Sequence, residues 1–160
     1  METQEITRDV QRYNQFLKAR ALPGPHAYTV LLGLDYFDLP SVLKAVEKGF
    51  SWKCFERFVR NIALPAETIA EIIGIPKRTL ARRKVEGRLK PDESDHLLRL
   101  ARVFAKSLHL FAGDAEAARL WLTDLNMALG NIAPLEYART EIGANEVENL
   151  VGRIQHGVFS

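Results

Sequence analysis

The sequence predicts an all-α protein, a helical bundle built around a helix-turn-helix with a small helical domain at its C-terminal end. Three observations predict it. Apolar residues recur at spacings of three and four, proline, glycine and capping residues punctuate the chain at helix-length intervals, and strand-like alternation is absent after residue 40.

Ile6, Val10, Tyr13 and Leu17 keep one apolar stripe on one helix face, so residues 1–22 read as an amphipathic arm. Leu22-Pro23-Gly24-Pro25 breaks that helix, because proline lacks an amide donor and disfavours helical geometry in the residue before it. The arm is thereby set apart from a domain over 26–112. From His26 to Leu39 apolar residues are dense without a period. Leu31, Leu32, Leu34, Tyr36 and Phe37 fit a short strand or a buried helical turn, and spacing does not separate the two.

Beyond Pro40, Ser41 is placed to cap a helix that Gly49 ends, and Ser51 to cap a second bearing Phe55, Phe58, Val59 and Ile62. Pro65 opens a third with Ile69, Ala70, Ile72 and Ile73 as its buried face, stopped by Gly74. Pro76 starts the next at once, Lys77 to Glu86, ended by Gly87. Pro91-Asp92-Glu93 opens a long helix with Leu97, Leu100, Ala101, Phe104, Leu108 and Phe111 on one stripe, closed by Gly113. The remaining residues, 114–160, form a second domain. Asp114 caps a helix with Ala118, Trp121, Leu122 and Leu125 on its apolar side; a loop from Asn126 to Ala133, a short helix opened by Pro134, and a helix with Val147, Leu150, Val151 and Ile154 follow. Gly157 ends that helix and leaves Val158-Phe159-Ser160 as an apolar tail that a partner would bury.

The chain has 160 residues, 22 Lys plus Arg against 20 Asp plus Glu, and a formal net charge of +2. This excludes a wholly basic nucleic-acid coat and an acidic disordered chain, and 47% hydrophobic residues suffice for a core. No apolar run approaches the roughly 18 residues of a membrane span. The acidic, polar start Met1-Glu-Thr-Gln-Glu is unlike a secretory signal and Cys54 has no partner cysteine, so a cytoplasmic location is expected.

The average conceals two regions. Lys77, Arg78, Arg82, Arg83, Lys84, Arg88 and Lys90 stand against Glu86 alone, seven minus one or +6, whereas from Asp114 onward seven acids face three arginines, or −4. The basic segment coincides with two short helices joined by Gly74-Ile75-Pro76, the geometry of a helix-turn-helix whose second helix enters the major groove. Ala70 lets the helices approach, and Leu80 faces the core. Lys77, Arg78, Thr79, Arg82 and Arg83 then fall at the start and outer face of that helix, and together with Arg88 they are the expected DNA contacts, suited to phosphates and guanine edges. A solvated basic helix in an ordinary bundle is the competing reading. Arg83 departs from the usual pattern, for it lies three residues after Leu80 where a second apolar residue is common, which implies a helix docked differently or held less firmly.

Other groupings have plainer accounts. Asp92, Glu93, Asp95 and His96 share one turn, but acids at a helix N-terminus meet the positive end of its dipole, and no cysteine or second spaced histidine accompanies them. Cys54 and Trp121 read as core residues. No metal site, cofactor, phosphate-cradling loop or nucleophile–base pair is expected, and an enzyme is not.

The run Arg78-Thr79-Leu80-Ala81-Arg82-Arg83, with Glu93-Ser94 and Leu98-Arg99-Leu100-Ala101-Arg102-Val103, resembles the central part of the Xre/MbcA/ParS antitoxin family. Trp121-Leu122, Asn126 with Ala128-Leu129-Gly130, Pro134-Leu135-Glu136, Thr140-Glu141-Ile142-Gly143-Ala144, Val147-Glu148, and Arg153-Ile154 with His156-Gly157-Val158-Phe159 look like that family's C-terminal toxin-binding domain. The resemblance covers roughly Gly33 to Phe159. It implies a cytoplasmic, dimeric antitoxin that represses its own promoter and pairs with a RES-domain toxin that degrades NAD. It also implies that Arg153, His156, Gly157, Val158 and Phe159 lie against the toxin and obstruct its active-site entrance. Met127 stands where the family commonly has proline, and Ala133 where a capping hydroxyl is common, which weakens the rigidity of that loop. A stand-alone regulator whose C-terminal part only dimerises is the alternative, and a small hydrolytic enzyme a third.

Overall fold

The computed structural model describes residues 6–157, and the all-α expectation holds throughout them. The order is α1 (Arg8–Ala19), a 3₁₀ helix (Ala27–Leu32), α2 (Leu39–Lys48), α3 (Trp52–Ile62), α4 (Ala66–Ile72), α5 (Lys77–Glu86), α6 (Pro91–Leu110), α7 (Ala115–Thr123), a second 3₁₀ turn (Met127–Leu129), α8 (Pro134–Tyr137) and α9 (Glu141–Gln155). Among the described residues the only β pairing is two isolated bridges, Ser51 with Arg88 and Asn126 with Ile132.

α6 is the axis. Its twenty residues pack against α1, the first 3₁₀ helix, α2, α3, α7 and α9, which is why eleven of them are buried. Phe58 of α3 meets Phe104 of α6 edge to face with ring centroids 6.2 Å apart, and Phe55, Ile62, Leu97, Leu100 and Leu108 close the core around them.

The aperiodic stretch after the prolines is a 3₁₀ helix whose six residues are all buried. A segment enclosed on every side has no polar face, so no period is visible in its sequence. Its Leu31 carbonyl accepts from Asn61 Nδ2 at 2.7 Å, while the Asn61 side chain also receives Thr7 Oγ1 and donates to Asp9, tying the arm to α3. Arg57 adds hydrogen bonds to Asp9, and Asn14 Nδ2 donates to Gly113 O at 2.9 Å. Helix α1 is therefore docked, with Val10 and Tyr13 inside the core.

Two expected caps differ. Asp38, not Ser41, caps α2: Leu39 and Pro40 occupy the first turn and the Asp38 carboxylate accepts from Ser41 N at 2.9 Å. Ser51 does precede α3, but its side chain makes no capping bond and its Oγ sits 3.5 Å from Cys54 Sγ. Leu125, assigned to the buried side of α7, lies beyond that helix and is 74% exposed.

Candidate nucleic-acid interface and C-terminal surface

The turn between α4 and α5 is built from buried isoleucines and one left-handed residue. Ile73 and Ile75 point into the core, Ile75 N donates to Ala70 O at 2.8 Å, and Gly74 between them has φ +86°. A Cβ there would meet only His96 Nδ1, at 3.9 Å, so glycine is required by the dihedral and not by space. His96, from the acid-rich first turns of α6, lies with Nδ1 3.0 Å from Ile73 O, within hydrogen-bonding distance of the carbonyl end of α4.

On α5, Lys77, Arg78, Arg82 and Lys84 are exposed and Thr79 is half-buried, and Arg88 and Lys90 are exposed in the turn that follows. Pro76 caps the helix without a side-chain acceptor, and its carbonyl accepts from Thr79 N at 2.8 Å. Arg82 makes only a loose pair with Glu86, 3.6 Å on an exposed surface, and Arg88 donates to Gly49 O at 2.7 Å.

Arg83 is the correction. Expected among the outward cations, it is 3% exposed. Its Nε and Nη2 donate to the two carboxylate oxygens of Glu93 at 2.8 and 3.1 Å, and Nη1 reaches Glu86 at 3.3 Å. Glu93 in turn accepts from Lys90 N at 2.8 Å, so one carboxylate caps α6 and grips α5. With Arg83 cancelled by Glu93, six exposed cations less Glu86 leave +5 on the face. The sequence carried a signal for this partnership: an arginine at a core-facing position needs a buried carboxylate, and Glu93 is the acid across the Gly87 turn.

Most of the C-terminal acids serve the fold. Arg99 and Arg102 of α6 both bind Glu141, at 3.0 and 2.8 Å, Arg102 also binds Glu148, and Arg99 Nη1 donates to Arg139 O at 2.9 Å. Arg139 reaches Glu71 of α4 at 3.1 Å, Arg153 pairs with Glu146 at 3.1 Å, and Asp114 caps α7. Burial lifts the Glu141 carboxyl, but the hydrogen bonds from Arg102 and Arg99 outweigh it and hold the group below its ordinary 4.5. Two of the seven acids, Glu141 and Glu148, thus dock α9 onto α6, while Glu116 and Asp124 remain exposed.

Of the predicted tail contacts, Arg153 is half-buried in its pair with Glu146, His156 is the exposed cap of α9, and Gly157 follows at φ +68°. Val158 and Phe159 lie outside the described residues.

Residues 41–102 match the family described as the antitoxin Xre-like helix-turn-helix domain, and residues 107–157 the antitoxin Xre/MbcA/ParS C-terminal toxin-binding domain. The chain is similar to an "Antitoxin Xre" of Yersinia enterocolitica, 36% identical over 120 residues that cover 74% of this chain and 81% of the relative. It is likewise similar to an "Antitoxin Xre" of Photorhabdus laumondii, 39% identical over 138 residues, 86% and 83% of the two chains. Both family matches meet within α6, the helix to which α5 and α9 are each tied by buried or half-buried arginines.

Proposed function

We propose a function from one premise: the chain belongs to the Xre antitoxin family. It binds and neutralises a RES-type toxin that degrades NAD, obstructing the entrance of the toxin's active site with the end of α9 and its tail, Arg153, His156, Gly157, Val158 and Phe159. As a dimer it represses its own operon, reading DNA through Lys77, Arg78, Thr79, Arg82 and Arg88. Neutralisation is by contact and involves no chemistry by this chain.

The observation that supports this reading best is the pairing of a +5 exposed face on a helix-turn-helix with a separate match to a toxin-binding domain in one chain. The basic face has the donors that phosphates and guanine edges require. No helix among the described residues is long and apolar enough to cross a membrane.

Co-expression with the toxin gene in the adjacent reading frame tests it. The full chain is expected to restore growth and cellular NAD and to co-purify with the toxin. Deleting Gly157 to Ser160 is expected to abolish protection; if protection and complex both survive the deletion, occlusion by the tail is wrong. A dimer should protect a palindrome in its own promoter with half-sites about one helical turn apart. A protein that binds that promoter but no toxin would be a stand-alone regulator.

A further inference from the structure

The loop between α7 and α8 is held in one shape by its own backbone. Asn126 Oδ1 accepts from Ala128 N at 3.0 Å, Asn126 O accepts from Leu129 N and Asn131 N at 3.1 and 2.9 Å, and Asn126 N donates to Ile132 O at 3.3 Å. Gly130 and Asn131 are both left-handed, at φ +69° and +63°, which turns the chain back on itself, and Leu129 is buried as an anchor. The loop is therefore fixed without a proline after Asn126, and the weakened rigidity expected from Met127 is not seen.

This frame displays apolar side chains in water. Met127 is 88% exposed, Leu125 74% and Ile132 41%, and Leu120 stands one turn upstream, half exposed. Four of the ten exposed large apolar residues among those described fall within residues 120–132. A mobile loop could fold such groups inward. Here the backbone hydrogen bonds are already committed, so the exposure is built in, and a partner that covers it loses little loop entropy on binding.

The loop contains no charged residue from Leu125 to Ile132. Nucleic acid would need cations there; the arginines that follow, Arg139 and Arg153, are occupied by Glu71 and Glu146. An uncharged, pre-shaped apolar prong fits a recess on a folded protein. The loop lies inside the stretch matching a toxin-binding domain and outside the helix-turn-helix match.

We infer that the toxin docks on this prong, with Leu125, Met127 and Ile132 as its anchors, so that the antitoxin grips the toxin at a second place besides the end of α9. The inference rests on the toxin-neutralising reading above. On that reading α9 and its tail obstruct, and the prong holds.

The test is titration of the full chain and its Leu125→Asp, Met127→Asp and Met127→Leu variants against the RES-domain toxin encoded beside it, with self-association followed by sedimentation. Because these side chains are in solvent, each variant is expected to keep the wild-type helix content and promoter affinity. Each Asp variant is expected to weaken the complex by about 30-fold or more, as for an anchor at an interface centre, and Met127→Leu to retain it. Unchanged toxin affinity in both Asp variants overturns the prong and leaves neutralisation standing. Loss of self-association with toxin affinity unchanged overturns it too, assigning the prong to a second copy. Failure of the wild-type chain to bind the toxin overturns the neutralising reading itself, and the prong with it.

Discussion

Arg83 of α5 and Glu93 of α6 form a two-pronged ion pair, 2.8 and 3.1 Å, with both side chains almost wholly out of solvent. A basic helix is thereby clamped by one of its own cations. The half-exposed Glu86 closes the outer side. Removing one partner leaves the other charge uncompensated, so Glu93→Gln or Arg83→Met alone is expected to cost about 3 kcal/mol, the lower end for a buried pair. For a chain of this size that lowers the melting temperature by about 6–12 °C. The double variant Arg83→Met/Glu93→Gln keeps a side-chain acceptor for Lys90 N and removes the stranded charge, so it is expected to recover most of the loss. Thermal unfolding followed by circular dichroism decides; single variants within about 0.5 kcal/mol of wild type would show that the pair clamps nothing.

The same geometry separates two adjacent arginines on DNA. Arg82 is exposed and only loosely paired, whereas Arg83 is buried with its guanidinium turned onto Glu93 and Glu86, away from a base. Arg82→Ala is expected to weaken promoter binding by about 1–3 kcal/mol if it reads a guanine, and Lys77→Ala to lower the salt slope by about one. Arg83→Met, measured below its melting temperature, should leave the salt slope unchanged. Anisotropy titrations from low to moderate salt distinguish them, and a slope that drops by one for Arg83→Met would return it to the DNA face.

Which features were legible follows from where each constraint lies. Helix ends at Gly49, Gly74 and Gly87 could be read directly, because a left-handed dihedral is a property of one residue, whereas α6 stops at Leu110, before Gly113. The 3₁₀ helix at Ala27–Leu32 could not, because burial on every side erases period. Arg83 was misplaced because charge alone put it on the surface, and only a partner ten residues away brings it inside. For the acids of α9 the difficulty was that Glu141 and Glu148 look like surface charge until α9 lies along α6 and meets Arg99 and Arg102. Leu125 looked like core because the spacing of α7 continues through it, while the helix itself stops at Thr123.

Two glycines of α9 should respond in opposite ways to the same change. At Gly143 a Cβ would sit 1.7 Å from Tyr137 O, a backbone atom that cannot step aside without moving α8. Gly143→Ala is expected to destabilise by about 3 kcal/mol, the upper end for overpacking, and to speed amide exchange in α8 and α9 before α3 to α5. At Gly152 nothing lies within 4 Å, so alanine removes only the entropic cost of glycine in a helix, and Gly152→Ala is expected to stabilise by up to about 1 kcal/mol. Urea unfolding of both variants checks the contrast; equal effects would mean that α8 does not abut α9 as described.

The arginine clamp on α9 should fail in acid. Burial pushes the Glu141 carboxyl up, but hydrogen bonds from Arg102 and Arg99 outweigh it and leave the group below its ordinary 4.5. The folded chain therefore holds its proton less tightly than the unfolded one. The contribution is complete above about pH 4.5 and is lost as the pH falls through the folded value. Glu141 is half exposed, so screening limits it to about 1 kcal/mol or less. Urea midpoints of wild type and Glu141→Gln are expected to differ at pH 6 and to converge as the pH falls through the folded value, where protonation removes the charge that the variant lacks. A difference that stays constant from pH 6 down to the acid unfolding of the chain would mean that Glu141 holds α9 by shape and not by its charge.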